Sequence, residues 1–147
     1  MPDWIINANE FHEEHQEWSW KTGNYSRFRR HLSVELGNTE ETTHPFDVEL
    51  TRLSPSAKPC PVHSHTKRSE FFICVSGTGR VHRNGEVVDV NPGDCFMQPG
   101  GTRHRIFNAS DTEDLVYYVI AMKWAKIPSN DMRSDTQDAS ENKRPVQ

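Results

Sequence analysis

From residue 46 the chain settles into a period of two, and this pattern restricts the fold more than any other feature of the sequence. Phe46, Val48 and Leu50 alternate with Asp47, Glu49 and Thr51, as expected of a strand with one buried face. Pro55, Pro59 and Pro61 then break the run. Short apolar stretches follow at 70–75, 80–83, 86–90, 95–98, 104–108 and 115–121. Between them lie Ser76-Gly77-Thr78-Gly79, Asn84-Gly85, Asn91-Pro92-Gly93-Asp94 and Pro99-Gly100-Gly101. Asn-Gly between two alternating runs is the strongest short hairpin signal. No helix-length pattern interrupts 46–122, so a parallel α/β sheet is excluded. Many short strands at this spacing predict an all-β sandwich or barrel.

Composition agrees once it is divided along the chain. Only 33% of the 147 residues are hydrophobic and 26% are charged, near the border of disorder for the chain as a whole. Leu, Ile, Val and Phe rise to about a quarter of residues 45–125, so the apolar content is concentrated where the strands are. Three segments are expected: an N-terminal extension over 1–45, a β-barrel domain over 46–125, and a disordered polar tail over 126–147. The net charge is −4 and no basic stripe offsets it, which argues against nucleic acid as a partner. No run approaches the roughly 20 apolar residues of a membrane span.

The acid excess falls in residues 1–44, which carry eight acidic and four basic residues. Asn7 with Glu10 resembles a capping box, and Phe11, His15 and Trp18 share a helical face. A short helix over 9–20, ended by Gly23 and Asn24, is expected there. Trp4, Trp18, Trp20 and Phe28 are many aromatics for a polar segment, and predict packing against the core or across a homodimer. Cys60, Cys74 and Cys95 are odd in number and widely spaced, so no disulfide framework is expected. Without a basic n-region and an apolar h-region near the start, a cytoplasmic location is expected, and the Asn24 and Asn108 glycosylation patterns are read as chance.

The chemistry is concentrated in Pro61-Val62-His63-Ser64-His65-Thr66-Lys67-Arg68-Ser69-Glu70. On a strand, His63 and His65 face the same way. Glu70 opens the next strand, and His104 begins a later one. Three imidazoles and a carboxylate meeting at one point would bind a metal: imidazole suits Zn, Cu, Fe and Ni, and the carboxylate shifts preference toward Mn or Fe(II). Taken one at a time, the same residues read equally well as unrelated surface histidines. His12-Glu13-Glu14-His15 lacks the i, i+4 spacing of a zinc-protease helix and reads as a solvated face.

The spacings resemble those of the cupin superfamily. Its first motif, G-x5-H-x-H-x3,4-E-x6-G, is matched by His63, His65, Glu70 and Gly77, with Ala57 in place of the opening glycine. Its second, G-x5-P-x-G-x2-H-x3-N, is matched in full by Gly93, Pro99, Gly101, His104 and Asn108. The resemblance covers about 46–122. It implies a double-stranded β-helix, or jelly roll, behind a short, partly helical extension, with His63, His65, Glu70 and His104 as ligands of a divalent Fe, Mn, Zn or Ni ion. Asn108 is expected to cap a turn rather than to ligate.

Parity with Glu70 points Phe72 and Cys74 inward, and parity with His104 does the same for Ile106. Phe72, Cys74, Gln98 and Ile106 are therefore the candidate pocket residues, with Tyr117 and Tyr118 as further polar contacts. Cys74 is read first as a small buried hydrophobe, with a reactive thiol as the alternative. Arg103 and Arg105 should point away from the metal. The expected function is a metal-dependent enzyme on a small oxygen-rich metabolite, dioxygenase-like ahead of isomerase or decarboxylase. The alternative is a ligand-binding or sensor module without turnover.

Overall fold

The computed structural model describes residues 2–37, 46–66 and 68–122, together with the backbone of 136–138. Eleven strands and one helical turn are found among them: β1 (Glu14–Trp20), β2 (Gly23–His31), α1 (Leu32–Glu35), β3 (Phe46–Leu53), β4 (His63–His65), β5 (Glu70–Ser76), β6 (Gly79–Arg83), β7 (Glu86–Val90), β8 (Cys95–Gln98), β9 (His104–Asn108), β10 (Leu115–Met122) and β11 (Thr136–Asp138). They form two sheets. The larger has the order β1-β2-β3-β10-β5-β8, and the smaller β11-β4-β9-β6-β7. This is the jelly roll expected from residue 46 onward. Among the described residues no helix is long and apolar enough to cross a membrane.

The core lies between the sheets. Leu53, Phe72, Cys74, Leu115, Tyr117 and Val119 of the larger sheet pack on Val81, Val90 and Ile106 of the smaller. Leu53 and Leu115 are wholly buried, and each such side chain contributes about 1.5–3 kcal/mol by leaving water. Two glycines permit this approach. At Gly77 (φ +83°) a Cβ would lie 2.1 Å from the Asp114 carbonyl oxygen, and at Gly79 it would meet the Leu115 and Val90 side chains at 2.9 and 3.0 Å.

Register carries the inner face across the whole larger sheet. Arg29 stands opposite Thr51, Thr51 opposite Tyr117, and Tyr117 opposite Cys74. One step along, His31, Glu49, Val119, Phe72 and Phe96 form the next inner row. Alternation fixes the direction of every member once one is known.

The N-terminal segment departs from expectation. Residues 14–20 are not helical but form β1, which pairs along its length with β2, and β2 in turn pairs with β3. The helical spacing of Phe11, His15 and Trp18 competes with a period-two set, Gln16, Trp18 and Trp20, and cross-strand partners favour the latter. Trp18 lies 5.5 Å from buried Tyr25, and His15 stacks on Phe28 at 4.2 Å. Gly23 and Asn24, expected to end a helix, open β2. Asn7 closes a local turn instead of capping, its side-chain oxygen accepting from Asn9 N–H at 2.9 Å. The expected aromatic packing is intramolecular for Trp18 and Phe28, whereas Trp4 is 71% exposed.

Within the segment read as a polar tail, 136–138 pairs antiparallel with β4, Thr136 opposite His65. The rest of that segment lies outside the described residues.

Candidate metal centre

Two strands of the smaller sheet and one of the larger build the site. β4 is three residues long and all three are buried, so its alternation sends His63 and His65 to the same inner face. His104 opens β9 directly opposite His63 in the β4–β9 register. The Pro99–Gly101 turn delivers it there: Gly101 takes φ +84°, and its N–H donates to the His65 carbonyl. Glu70 opens β5 on the facing sheet. The four residues each present one donor atom, and these atoms all lie within 4.8 Å of one another.

The hydrogen bonds around the cluster decide which nitrogens are available. His63 Nδ1 is 2.9 Å from the Pro61 carbonyl, and His104 Nδ1 is 2.9 Å from the Thr102 carbonyl. A carbonyl only accepts, so each Nδ1 carries a proton and each Nε2 is the nitrogen turned toward the cluster, to hold a proton against Glu70 or to bind a metal. Rings held from behind in this way are the usual arrangement of metal-ligating histidines. Glu70 Oε1 lies 2.7 Å from His65 Nε2 and 3.0 Å from His104 Nε2. Adjacent ligands at about 2.1 Å from one ion stand about 3.0 Å apart, so the spacing suits a shared cation. The donor set, imidazole with one carboxylate, suits Fe, Mn, Zn or Ni.

Protonation favours the same conclusion. Burial pushes the His65 imidazole down to about 4, against the pull of Glu70. Burial would raise Glu70, but hydrogen bonds from His104 and His65 outweigh it and hold the carboxyl well below its usual range. Burial lowers His104 and its bond to Glu70 raises it, with the net effect upward. Near neutral pH His65 is neutral and Glu70 ionised, the forms that bind a metal, whereas Glu70 holds His104 toward its protonated form, a proton that a bound metal would displace.

A cavity opens from this cluster. Phe72 and Ile106 line it, as does Tyr117, whose hydroxyl is pushed up by burial. Phe72 is braced by Phe96, stacked at 4.7 Å. The other two pocket candidates lie elsewhere. Cys74 sits in the inter-sheet core, where burial raises its thiol to about 11, the setting of a small buried hydrophobe. Gln98 is buried opposite Glu70 in the β5–β8 register but does not line the cavity. Tyr118 points to the other face of β10. Arg105 borders the cavity, yet its guanidinium lies 5.3 Å over the Phe107 ring, consistent with the outward direction expected. Asn108 caps as expected, donating to the carbonyls of Leu53, Ser54 and Glu113.

Sequence reasoning missed Cys60, Arg68 and the β2 pair Arg27 and Arg29, which also line the cavity, Arg68 Nη2 lying 3.2 Å from His65 Nδ1. Cys60 Sγ is 3.5 Å from His63 Nδ1. The two arginines alternate with Phe28 on β2, a signal available only once that stretch is known to be a strand.

Known proteins share this architecture. Residues 49–121 match the family model described as the cupin domain. Over 81 residues the chain is 38% identical to the probable oxidoreductase virH of Hypocrea virens, a match covering 54% of this chain and 36% of that protein. The chain thus corresponds to only about a third of that curated relative's length. Among solved structures, a sugar phosphate isomerase of the cupin superfamily from Silicibacter pomeroyi superposes with a TM-score of 0.67 at 20% identity, covering 82% of this chain and 76% of that one. A predicted oxalate decarboxylase from Thermotoga maritima gives 0.68 at 22% identity, covering 82% and 99%. At such identities the two structures speak to the fold alone.

Proposed function

This chain belongs to the cupin superfamily, and on that premise we propose that it is a metal-dependent enzyme acting on a small oxygen-rich metabolite, of oxygenase type. The observation that carries the proposal is the meeting of three imidazoles and one carboxylate in the wall of a cavity. His63, His65, Glu70 and His104 would hold the ion. A divalent ion with open positions supplies Lewis-acid polarisation or one-electron chemistry.

The chain's own residues do the rest. The Pro61 and Thr102 carbonyls keep two Nε2 atoms turned toward the cluster, and Phe72 and Ile106 supply apolar wall. Among the described residues lining the cavity, Glu70 is the only carboxylate, and it is engaged with His65 and His104. No second acid stands ready as a general base, which favours metal-centred redox chemistry over isomerisation by proton transfer. The 38% identity to a probable oxidoreductase supports the same direction.

The test is turnover of a metabolite panel by Fe(II)-loaded protein with and without dioxygen. Product formed only in air is the expected result. Turnover that ignores oxygen would overturn the oxygenase form. Binding without any turnover would favour the ligand-binding module instead. We carry forward homodimerisation as well, with the edge strand β1 as the candidate contact, to be read by light scattering.

A further inference from the structure

The cavity that the imidazoles close also carries positive charge, and that charge comes from another part of the chain. Arg27 and Arg29 are two apart on β2, so both leave the inner face of the larger sheet, and both line the cavity. Arg27 is only 5% exposed. It is fixed from two sides. Its Nε donates to Gln16 Oε1 at 2.6 Å, directly across the β1–β2 register, and its Cζ lies 5.1 Å over the Trp18 ring. The Nε of Arg29 stands 3.2 Å from Glu49 Oε2. The β1–β2 hairpin therefore orders two guanidinium groups on one wall. Phe72, Ile106 and Val119 supply apolar wall to the same cavity.

We propose that this cavity takes a small organic carboxylate, its anionic group held by Arg27 with Arg29 beside it and its body directed past Phe72 and Ile106 toward the histidine cluster. A guanidinium presents a planar fork of donors that matches a carboxylate through two parallel hydrogen bonds. Of the other two arginines that line the cavity, Arg68 lies against the His65 ring at 3.2 Å and Arg105 over the Phe107 ring; Arg27 and Arg29 stand together beside apolar wall, which suits a planar, singly charged head on an apolar body. A phosphate ester, with three outer oxygens and a second charge, needs donors on several sides. This deepens the proposed function by naming its substrate class, and rests on that reading only for which end of the molecule reacts.

The experiment is calorimetric titration and thermal melting of the full chain, both metal-free and Mn(II)-loaded, with benzoate, pyruvate and 2-oxoglutarate as probes. Benzamide is the neutral counterpart and glycerol 3-phosphate the phosphate ester. At least one carboxylate should bind and raise the melting temperature, with benzamide weaker by about tenfold or more. Arg27→Gln should weaken the carboxylate by a similar factor, while Arg27→Lys falls between. Metal content, read separately by elemental analysis, should not change in either. Binding of none of the three carboxylates overturns the proposal. So does benzamide binding as tightly, glycerol 3-phosphate binding better, or Arg27→Gln folding with undiminished affinity. If Arg27→Gln fails to fold, unchanged affinity in both Arg27→Lys and Arg29→Gln overturns it equally. Arg27-dependent carboxylate binding by a protein that takes up no metal would leave this proposal standing and dispose of the metal reading alone.

Discussion

The two walls of the cavity are made differently. The smaller sheet contributes three imidazoles from two adjacent strands, His63 and His65 on β4 and His104 on β9. Backbone carbonyls only two residues away orient two of them. The larger sheet contributes one ligand, Glu70, and otherwise an apolar wall with the guanidinium groups of β2. Its inward side chains are set by register across β2, β3, β10, β5 and β8, and ordered by partners far away in sequence, such as Glu49 for Arg29. Local geometry thus builds the metal side, and long-range pairing builds the substrate side. The two should be separable by mutation.

The sharpest break concerns the metal ligands. Alanine at His63, His65 or His104 should lower metal affinity by more than about 100-fold, since even partners behind the ligands are worth 10–100-fold. Elemental analysis after dialysis reads this. Next comes the shared core. Leu115→Ala should cost about 2–5 kcal/mol in denaturant unfolding and disturb both walls together, because Leu115 is wholly buried between the sheets. Asn108→Ala removes a donor shared by three carbonyls and should cost about 1–3 kcal/mol without changing metal stoichiometry. That outcome would separate the motif's last residue from its ligands.

The smallest effect is pH-dependent and confined to the arginine wall. Burial would raise Glu49, but Arg29 and His31 outweigh it and hold its carboxyl at about 2. A carboxyl depressed on folding adds stability above its unfolded value near 4.5, and loses it as pH falls from there through 2. Glu49→Gln should therefore lower stability at neutral pH and flatten the loss between about 4.5 and 2. Equilibrium unfolding at several pH values checks this. An unchanged slope would mean that the pairing to Arg29 and His31 contributes nothing.

The same contrast explains what was legible in the sequence. From residue 46 the strands, their turns and the four clustered residues could be read directly, because i, i+2 spacing and Pro/Gly turns are local facts. Phe72 and Ile106 followed by parity. Cys74 did not, since parity gives direction but not depth, and its side chain packs into the inter-sheet core. The hairpin at 14–31 was misread as partly helical because Phe11, His15 and Trp18 satisfy a helical spacing by themselves. Only their cross-strand partners, Tyr25 and Phe28, reveal the strand. Arg27 and Arg29 carry no site signal in the sequence, and their place in the cavity depends on a register that no local pattern encodes.

The central claim is that His63, His65, Glu70 and His104 together hold one divalent ion. Elemental analysis of the purified full chain beside its Glu70→Ala variant tests it most directly, because Glu70 is the one ligand supplied by the larger sheet. The expected result is one ion per chain in the parent and a fraction of that in the variant, with the fold intact by circular dichroism. One ion retained in the variant, or none in the parent after loading, would contradict the account.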